Sequence, residues 1–187
     1  MDEKLDLRII KTYLALHNAF IELLEEKRFE DITVNELCDR AMIRRTTFYK
    51  HFADKYEYFT FYIRELVSTF QDRLAPDVAD DEVGDYLLHM SREMIRFMKQ
   101  HEKVVQNIKN SSMFPMLLSI MLEQISLDVV QVIRRADNLG IEKSKAEDIA
   151  AFYAGGLTNM LFQYLKRDEP INEEQFIGII SEFITKV

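Results

Sequence analysis

The sequence predicts an all-α protein of about nine helices, with an N-terminal three-helix head and a C-terminal helical body. Three observations support this fold class. Apolar residues recur at three- and four-residue steps along most of the 187-residue chain, which is the spacing of an amphipathic helix. Hydroxyl or carboxylate residues followed three positions later by Glu precede several of these segments, as at helix N-termini. No segment alternates apolar and polar residues as a strand would.

The head is predicted to contain two short helices covered by a long one. Residues 5–27 carry apolar side chains at helical spacing and form the long helix. Thr33 and Glu36 form a capping box that begins the second helix. Residues 41–43 leave room only for a sharp turn, after which a third helix begins at Arg44. Two short helices joined in this way are typical of a DNA-reading unit.

Basic residues are concentrated around the third predicted helix, although the whole chain carries a formal net charge of −8. Residues 40–55 hold five Lys or Arg against one acidic residue, whereas residues 56–187 hold 14 against 21. A basic head and an acidic body favour one orientation on a phosphate backbone. The same charges would also suit an ordinary solvated helix face.

The residues of the head match a known pattern. Thr33-Val34, Leu37, Ala41, Thr47-Phe48-Tyr49, His51-Phe52 and Lys55 resemble the helix-turn-helix of the TetR family of bacterial transcriptional regulators, over about residues 8–60. Met42 stands where the family commonly has Gly, and Arg44 stands where it commonly has Ser or Asn. The resemblance implies a DNA-binding domain at residues 1–54 and a ligand-binding and dimerisation domain at residues 55–187.

The position of each residue on the third helix suggests what it contacts. The first residues of a recognition helix point into the major groove, while its end and the start of the next helix lie over phosphates. We therefore expect Arg45 nearest the base edges. The residues expected at the DNA are Thr33, Arg44, Arg45, Thr46, Thr47, Tyr49, Lys50, His51 and Lys55, with Tyr49, Lys50 and Lys55 on phosphates.

The rest of the chain is predicted to form six more helices. The fourth is expected over residues 55–74, the fifth around 83–97 and a brief sixth around 104–108. Residues 112–137 are apolar nearly all round, which predicts a seventh helix at the centre of the body. The last two helices are expected to begin at a capping box of Ser144 with Glu147 and at a cap by Asn172.

The resemblance also implies a small-molecule effector held in the body, mostly by the fifth, seventh and eighth helices. Methionine suits such a pocket because its flexible side chain adapts to several apolar shapes. Ordinary core packing would use the same residue types. The candidate pocket residues are His89, Met90, Met94, Phe97, Met116, Met121, Tyr153 and Met160.

In similar regulators the last two helices of each protomer form a dimer. Gly155 and Gly156 lie inside the predicted eighth helix. Glycine lowers helix stability by about 1 kcal/mol relative to Ala, so the close approach of another helix would explain the pair. The alternative is that this face packs only within its own subunit. The expected interface residues are Phe152, Gly156, Leu157, Met160, Tyr164, Phe176, Ile180 and Phe183.

Signatures of an enzyme or a membrane protein are missing. The sequence has no glycine-rich phosphate loop, no Glu-x-x-His motif and a single Cys, so we expect no catalytic residue, metal or cofactor. The single Cys also fits a reducing cytoplasm. The longest uncharged stretches hold 13 and 17 residues, short of the roughly 20 that a membrane helix needs.

The expected protein is therefore a cytoplasmic homodimeric repressor. Its expected partners are a double-stranded DNA operator, a second copy of itself and an apolar or amphipathic effector. One alternative is a TetR-like co-regulator that acts through protein contact, like those that accompany dihydroxyacetone kinase operons. A second alternative is a helical-bundle enzyme.

Overall fold

The computed structural model describes residues 3–72, 83–135, 143–167 and 172–185. Regular structure in these residues is helical throughout, with no strand, which confirms the predicted all-α fold. The predicted ends of the fourth and seventh helices, at residues 74 and 137, lie outside the described residues. The helices are α1 (Glu3–Glu26), α2 (Val34–Arg40), α3 (Arg45–Phe48), α4 (Lys55–Asp72), α5 (Val83–Gln100), α6 (Glu102–Lys109), α7 (Phe114–Arg135), α8 (Ala146–Lys166) and α9 (Glu173–Thr185).

The chain forms two compact units. The first, which we call the head unit, contains Met1–Tyr62 and His101–Pro115, and the second, the body unit, contains Ile63–Gln100 and Met116–Val187. Helix α4 begins in the head unit and continues into the body unit. The head unit is therefore larger than the expected DNA-binding domain of residues 1–54, because it also includes α6. The functional division at residue 54 stays a prediction.

Aromatic rings from three helices form the core of the head unit. Phe20 of α1, Phe48 of α3 and Tyr58 of α4 are each at most 1% exposed. The ring centroids of Phe20 and Tyr58 are 5.3 Å apart at an interplanar angle of 87°, and those of Phe48 and Tyr58 are 5.9 Å apart. Aromatic pairs in edge-to-face or tilted arrangements add to the stability gained by burial. The Phe48–Tyr58 contact attaches α3 to α4 through the one buried residue of α3.

Two polar contacts attach the α6 region to the head unit. The Asn107 side-chain amide donates to the Leu24 carbonyl oxygen at 2.7 Å, near the end of α1. Ser112, just after α6, donates to Glu30 Oε1 through its hydroxyl at 2.6 Å and also through its backbone N–H. Val104 adds apolar contact area because it is only 4% exposed. These bonds explain why α6 belongs to the head unit although it follows α5 of the body unit.

Helix α5 is the most enclosed helix of the body unit. Its Tyr86 hydroxyl donates to Asp128 Oδ2 of α7 at 2.8 Å, and Lys99 Nζ donates to Glu173 of α9 at 2.6 Å. A ring nitrogen of His89 donates to the Phe70 carbonyl oxygen of α4 at 2.7 Å. Helix α5 is thereby bonded to three other helices of its unit.

The prediction that residues 112–137 lie at the centre of the body is wrong. Only 28% of the most apolar part of α7 is buried, and Met116, Leu122 and Leu127 are 41%, 38% and 51% exposed. Apolar residues all round a helix cannot distinguish an enclosed helix from one with an uncovered apolar side. By length and composition alone, α7 is also the one described helix that could cross a membrane. Core helices of soluble proteins pass the same test.

The predicted cap of α9 is confirmed, that of α8 is wrong, and α4 also begins at a side-chain cap. Asp54 Oδ1 accepts from the backbone N–H groups of Tyr56 and Glu57 at 2.8 and 2.9 Å, at the start of α4. Asn172 Oδ1 accepts from Gln175 N at 3.1 Å at the start of α9. The predicted capping box at Ser144 is wrong, because a 3₁₀ turn covers Lys143–Lys145 and α8 starts at Ala146 without a side-chain cap.

Candidate nucleic-acid interface

The candidate interface begins at the capping box that starts α2. Thr33 Oγ1 accepts from Glu36 N at 3.2 Å, and Glu36 Oε2 accepts from Thr33 N at 2.9 Å, as predicted. Lys27 Nζ donates to the other carboxylate oxygen of Glu36. The hydrogen bond from Lys27, followed by those from Thr33, lowers the pKa of Glu36 to about 2. The Thr33 hydroxyl, which was expected at the DNA, is therefore also part of the cap.

The turn between α2 and α3 is a Schellman motif with Met42 at the left-handed position. Ile43 N donates to the Cys38 carbonyl oxygen at 2.9 Å, and Met42 N donates to the Asp39 carbonyl oxygen at 3.2 Å. Met42 has a φ of 54°, the only positive φ among non-glycine residues described. The turn therefore keeps the geometry that favours Gly even though Met replaces it.

Helix α3, the predicted recognition helix, is shorter than expected. It begins at Arg45 rather than Arg44, because Arg44 has extended backbone angles and is the N-cap residue. Phe48 is fully buried and attaches α3 to the head core. Thr47 and His51 are half-buried, and the His51 Nδ1 and Tyr13 hydroxyl share a hydrogen bond at 3.2 Å. The exposed side chains of this region are those of Arg44, Arg45, Thr46, Tyr49 and Lys50.

Lys55 has an internal role that differs from the expected phosphate contact. Its Nζ donates to the carbonyl oxygens of Phe29, Glu30 and Ile32 at 3.0, 2.8 and 2.7 Å. It also lies 4.8 Å from the ring centroid of Phe29. Burial lowers the pKa of this ammonium group, and nearby carboxylates act in the opposite direction. Because all three N–H groups have acceptors, a phosphate contact would require breaking these bonds.

The expected dimer residues fall into two groups. Leu157, Phe176 and Ile180 are 6%, 1% and 8% exposed, so the structure places them in the core of their own body unit. Phe152 and Phe183 are 71% and 68% exposed, and Gly156 is also exposed. The two residues that are half-buried are Met160 and Tyr164, whose ring lies 5.1 Å from that of Phe176.

The candidate pocket residues also differ in exposure. Buried residues are Met90, Met94 and Met121, and half-buried ones are His89, Phe97, Tyr153 and Met160. Met116 is 41% exposed, so it does not line the interior as expected.

Buried polar residues of the body unit, among them Glu93 and Thr158, were not predicted from the sequence. Glu93 of α5 is 4% exposed and pairs with Arg96. Thr158 of α8 is 7% exposed, and its hydroxyl has no hydrogen-bond partner in the described residues. Each lies on the apolar side of its helix, and this position is the feature of the sequence that could have identified it as buried. Among the described residues, no group of three His, Cys, Asp or Glu could hold a metal ion.

Comparison with known families agrees with this architecture. The family described as "Transcriptional regulator C-terminal region" matches residues 85–186, which is more than half of the chain. The helix-turn-helix lies outside that match, at the other end of the sequence. The chain belongs to the TetR family of transcriptional regulators.

Two relatives from Bacillus subtilis (strain 168) are named uncharacterized HTH-type transcriptional regulators. YxbF is 34% identical over 80 residues, which are 42% of this chain and 19% of YxbF. YdeS is 30% identical over 94 residues, which are 50% of this chain and 46% of YdeS. The chain thus spans less than half the length of either relative.

Three solved structures share the fold over almost the whole chain. The dihydroxyacetone kinase operon activator DhaS has a TM-score of 0.65 at 14% identity and covers 94% of this chain and 97% of its own. The TetR family repressor AlkX from Dietzia sp. strain DQ12-45-1b has a TM-score of 0.57 at 16% identity, with coverage of 94% and 96%. A putative TetR-family regulator from Syntrophomonas wolfei has a TM-score of 0.54 at 13% identity, with coverage of 94% and 93%.

Proposed function

We propose that this regulator is a cytoplasmic homodimeric repressor that binds a DNA operator and leaves it when an effector binds the body unit. The observation that carries the proposal is the form of α3. One fully buried side chain, Phe48, holds a short helix against the head core, while Arg44, Arg45 and Lys50 remain exposed. A rigid support with free cationic side chains is what base and phosphate contacts require.

A homodimer is supported by the exposed surface of α8 and α9. Phe152 and Phe183 are large apolar side chains with about two thirds or more of their surface exposed. A Cβ atom at Gly156 or Gly178 would have no heavy atom within 4 Å, so packing inside the subunit does not require glycine there. A helix of a second protomer could approach closely at the glycines and bury the two phenylalanine side chains. Two-fold symmetry would then present two recognition helices to two half-sites.

Two features of the buried residues of the body unit support an amphipathic effector. Met90 and Met94 are at most 5% exposed and can adapt to a ligand because Met is flexible. The buried Thr158 hydroxyl lacks a partner in the described residues. A buried hydroxyl without a partner is unfavourable, and a ligand with one polar group would supply one.

The co-regulator alternative is favoured by one observation. Lys55, a cation expected on the phosphates, is bonded inside the head unit, which lowers the number of free cations near α3. A regulator acting through protein contact would need fewer such cations. DNA binding therefore decides between the two proposals.

The deciding experiment measures fluorescence anisotropy with the full chain and two labelled duplexes of equal length. One duplex carries the promoter DNA upstream of the gene, and the other has random sequence. Arg45→Ala should weaken binding to the specific duplex by roughly 1 to 3 kcal/mol and leave the random duplex nearly unaffected, because a bidentate base contact is lost. Arg134→Ala, which removes an exposed arginine of α7 in the body unit, is the matched control and should change neither affinity.

Two results would contradict the proposal in different ways. Equal loss on both duplexes for Arg45→Ala would place Arg45 on phosphates instead of bases. Equal, weak binding of both duplexes by the unaltered chain would favour the co-regulator.

A further inference from the structure

Met42 is an unusual residue for the turn in which it lies. Its φ of 54° is in the left-handed region, where a Cβ atom is unfavourable and Gly is preferred. Both hydrogen bonds of the Schellman motif involve backbone atoms only, so Gly would form the same turn. The turn itself therefore gives no reason for a methionine side chain.

The head core gives no reason either. Met42 is 92% exposed, the highest value among the exposed large apolar residues. Almost none of its surface contacts other described residues, so it contributes little to burial. An apolar side chain held in an unfavourable backbone conformation and facing solvent points to a contact outside the chain.

The position of Met42 indicates which contact this is. It lies three residues before Arg45, so the two Cα atoms are at most about 11 Å apart. Its exposed neighbours Arg44 and Arg45 give this edge of the head unit a positive charge, which suits DNA better than an apolar protein surface. Two backbone hydrogen bonds hold the turn, so the backbone of Met42 has a defined position from which its side chain extends.

We propose that Met42 is a specificity-determining residue that packs against a thymine 5-methyl group in each operator half-site. The thymine methyl is the only apolar group on the base edges of the major groove, and apolar side chains read it by contact. This inference rests on the proposed function, since it requires a sequence-specific operator.

The test begins with selection of an operator from a random duplex library by the full chain. Each thymine of the selected operator is then replaced by uracil, which removes only the methyl group. One position per half-site should lose about fourfold in affinity, the effect of exposing one buried methyl group. Met42→Gly removes the contact from both protomers, so it should bind the original operator about as weakly as the unaltered chain binds a duplex with uracil at that position in both half-sites. The variant should be insensitive to uracil there.

Two controls separate a lost contact from a damaged fold. Met42→Gly should raise the urea midpoint of unfolding, because Gly is favoured at a φ of 54°. Met42→Gln keeps a similar length and the same backbone requirement but should also lose the uracil effect. Random duplexes should bind all three proteins alike.

The outcomes are distinguishable. If the full chain selects no sequence, the proposed function and this inference both fail. If it selects an operator but Met42→Gly and the unaltered chain respond equally to uracil at every position, only the role of Met42 is overturned.

Discussion

Lys50 and Lys55 are five residues apart, but their ammonium groups have different surroundings. Lys50 follows α3 and is exposed. Lys55 donates to three carbonyl oxygens at and just after the 3₁₀ turn Phe29–Asp31. A free cation contributes to phosphate binding, whereas a bonded one contributes to folding. The same substitution at the two positions should therefore affect different properties.

Lys55→Met should lower the free energy of unfolding by about 1 to 3 kcal/mol, because three hydrogen bonds from a charged donor are lost. Urea unfolding of the full chain measures this change. The slope of log affinity against log salt for random DNA should stay as in the unaltered chain. A salt slope of smaller magnitude, with an unchanged free energy of unfolding, would instead indicate that Lys55 contacts a phosphate.

Lys50→Met is the matched substitution. It should leave the free energy of unfolding within about 0.5 kcal/mol, as is usual for an exposed side chain. The magnitude of the salt slope should fall by about one, the value expected for one lost phosphate contact.

At the scale of single elements, short-range signals were predictable and long-range ones were not. The capping box of Thr33 and Glu36 could be read from the sequence because both partners lie within one helical turn. The bonds of Lys55 join residues 23 to 26 positions apart, and those of Ser112 to Glu30 join residues 82 apart. Nothing in a local pattern marks such partners. The prediction at Ser144 failed for a different reason. Ser144 and Glu147 have the spacing of a capping box, but α8 begins without a side-chain cap.

The capping box of α2 should make stability depend on pH. The pKa of Glu36 is lowered from 4.5 to about 2 in the folded chain. A lowered pKa means that the carboxylate stabilises the fold fully above pH 4.5 and loses this contribution as pH falls toward 2. Glu36→Gln should therefore make the free energy of unfolding less pH-dependent in that window, as measured by urea unfolding at several pH values.

The control for this experiment is Glu65→Gln, which removes an exposed carboxylate of α4 that caps no helix. Its unfolding free energy should follow the pH dependence of the unaltered chain. If Glu36→Gln also follows that dependence, the carboxylate does not stabilise α2 in solution.

At the scale of the whole molecule, exposed apolar side chains indicate where a second copy would bind. Phe183→Arg should dissociate the proposed dimer, because the charge would be buried there without a partner, at a penalty of several kcal/mol. Sedimentation should show a monomer, and operator affinity should fall with it. Leu127→Arg makes the same change at a 51% exposed residue of α7 and should leave the dimer intact. The reverse pattern would place the interface on α7.

The connectivity of the chain suggests how an effector would act on the DNA. Helix α6 and Ser112 belong to the head unit, while the segments before and after them belong to the body unit. Because α5 and α7 adjoin this part of the chain, we expect a rearrangement of either helix to affect the bonds from Ser112 to Glu30. Glu30 also supplies a carbonyl oxygen to Lys55, at the start of α4. We propose that this chain connection passes a change in the body unit to the segment that follows α3.

Glu30→Ala should therefore reduce the coupling between effector and operator. A panel of fatty acids and long-chain alcohols is titrated against the operator complex, and an active compound should weaken operator binding by roughly 5- to 150-fold in the unaltered chain. The operator must weaken that compound by the same factor, since linkage is reciprocal. In Glu30→Ala this factor should approach one while both separate affinities persist. Asp31→Ala, which removes an exposed pair with Arg28 and leaves the bonds between Glu30 and Ser112 in place, should keep the full factor. Equal coupling in all three proteins would exclude this route.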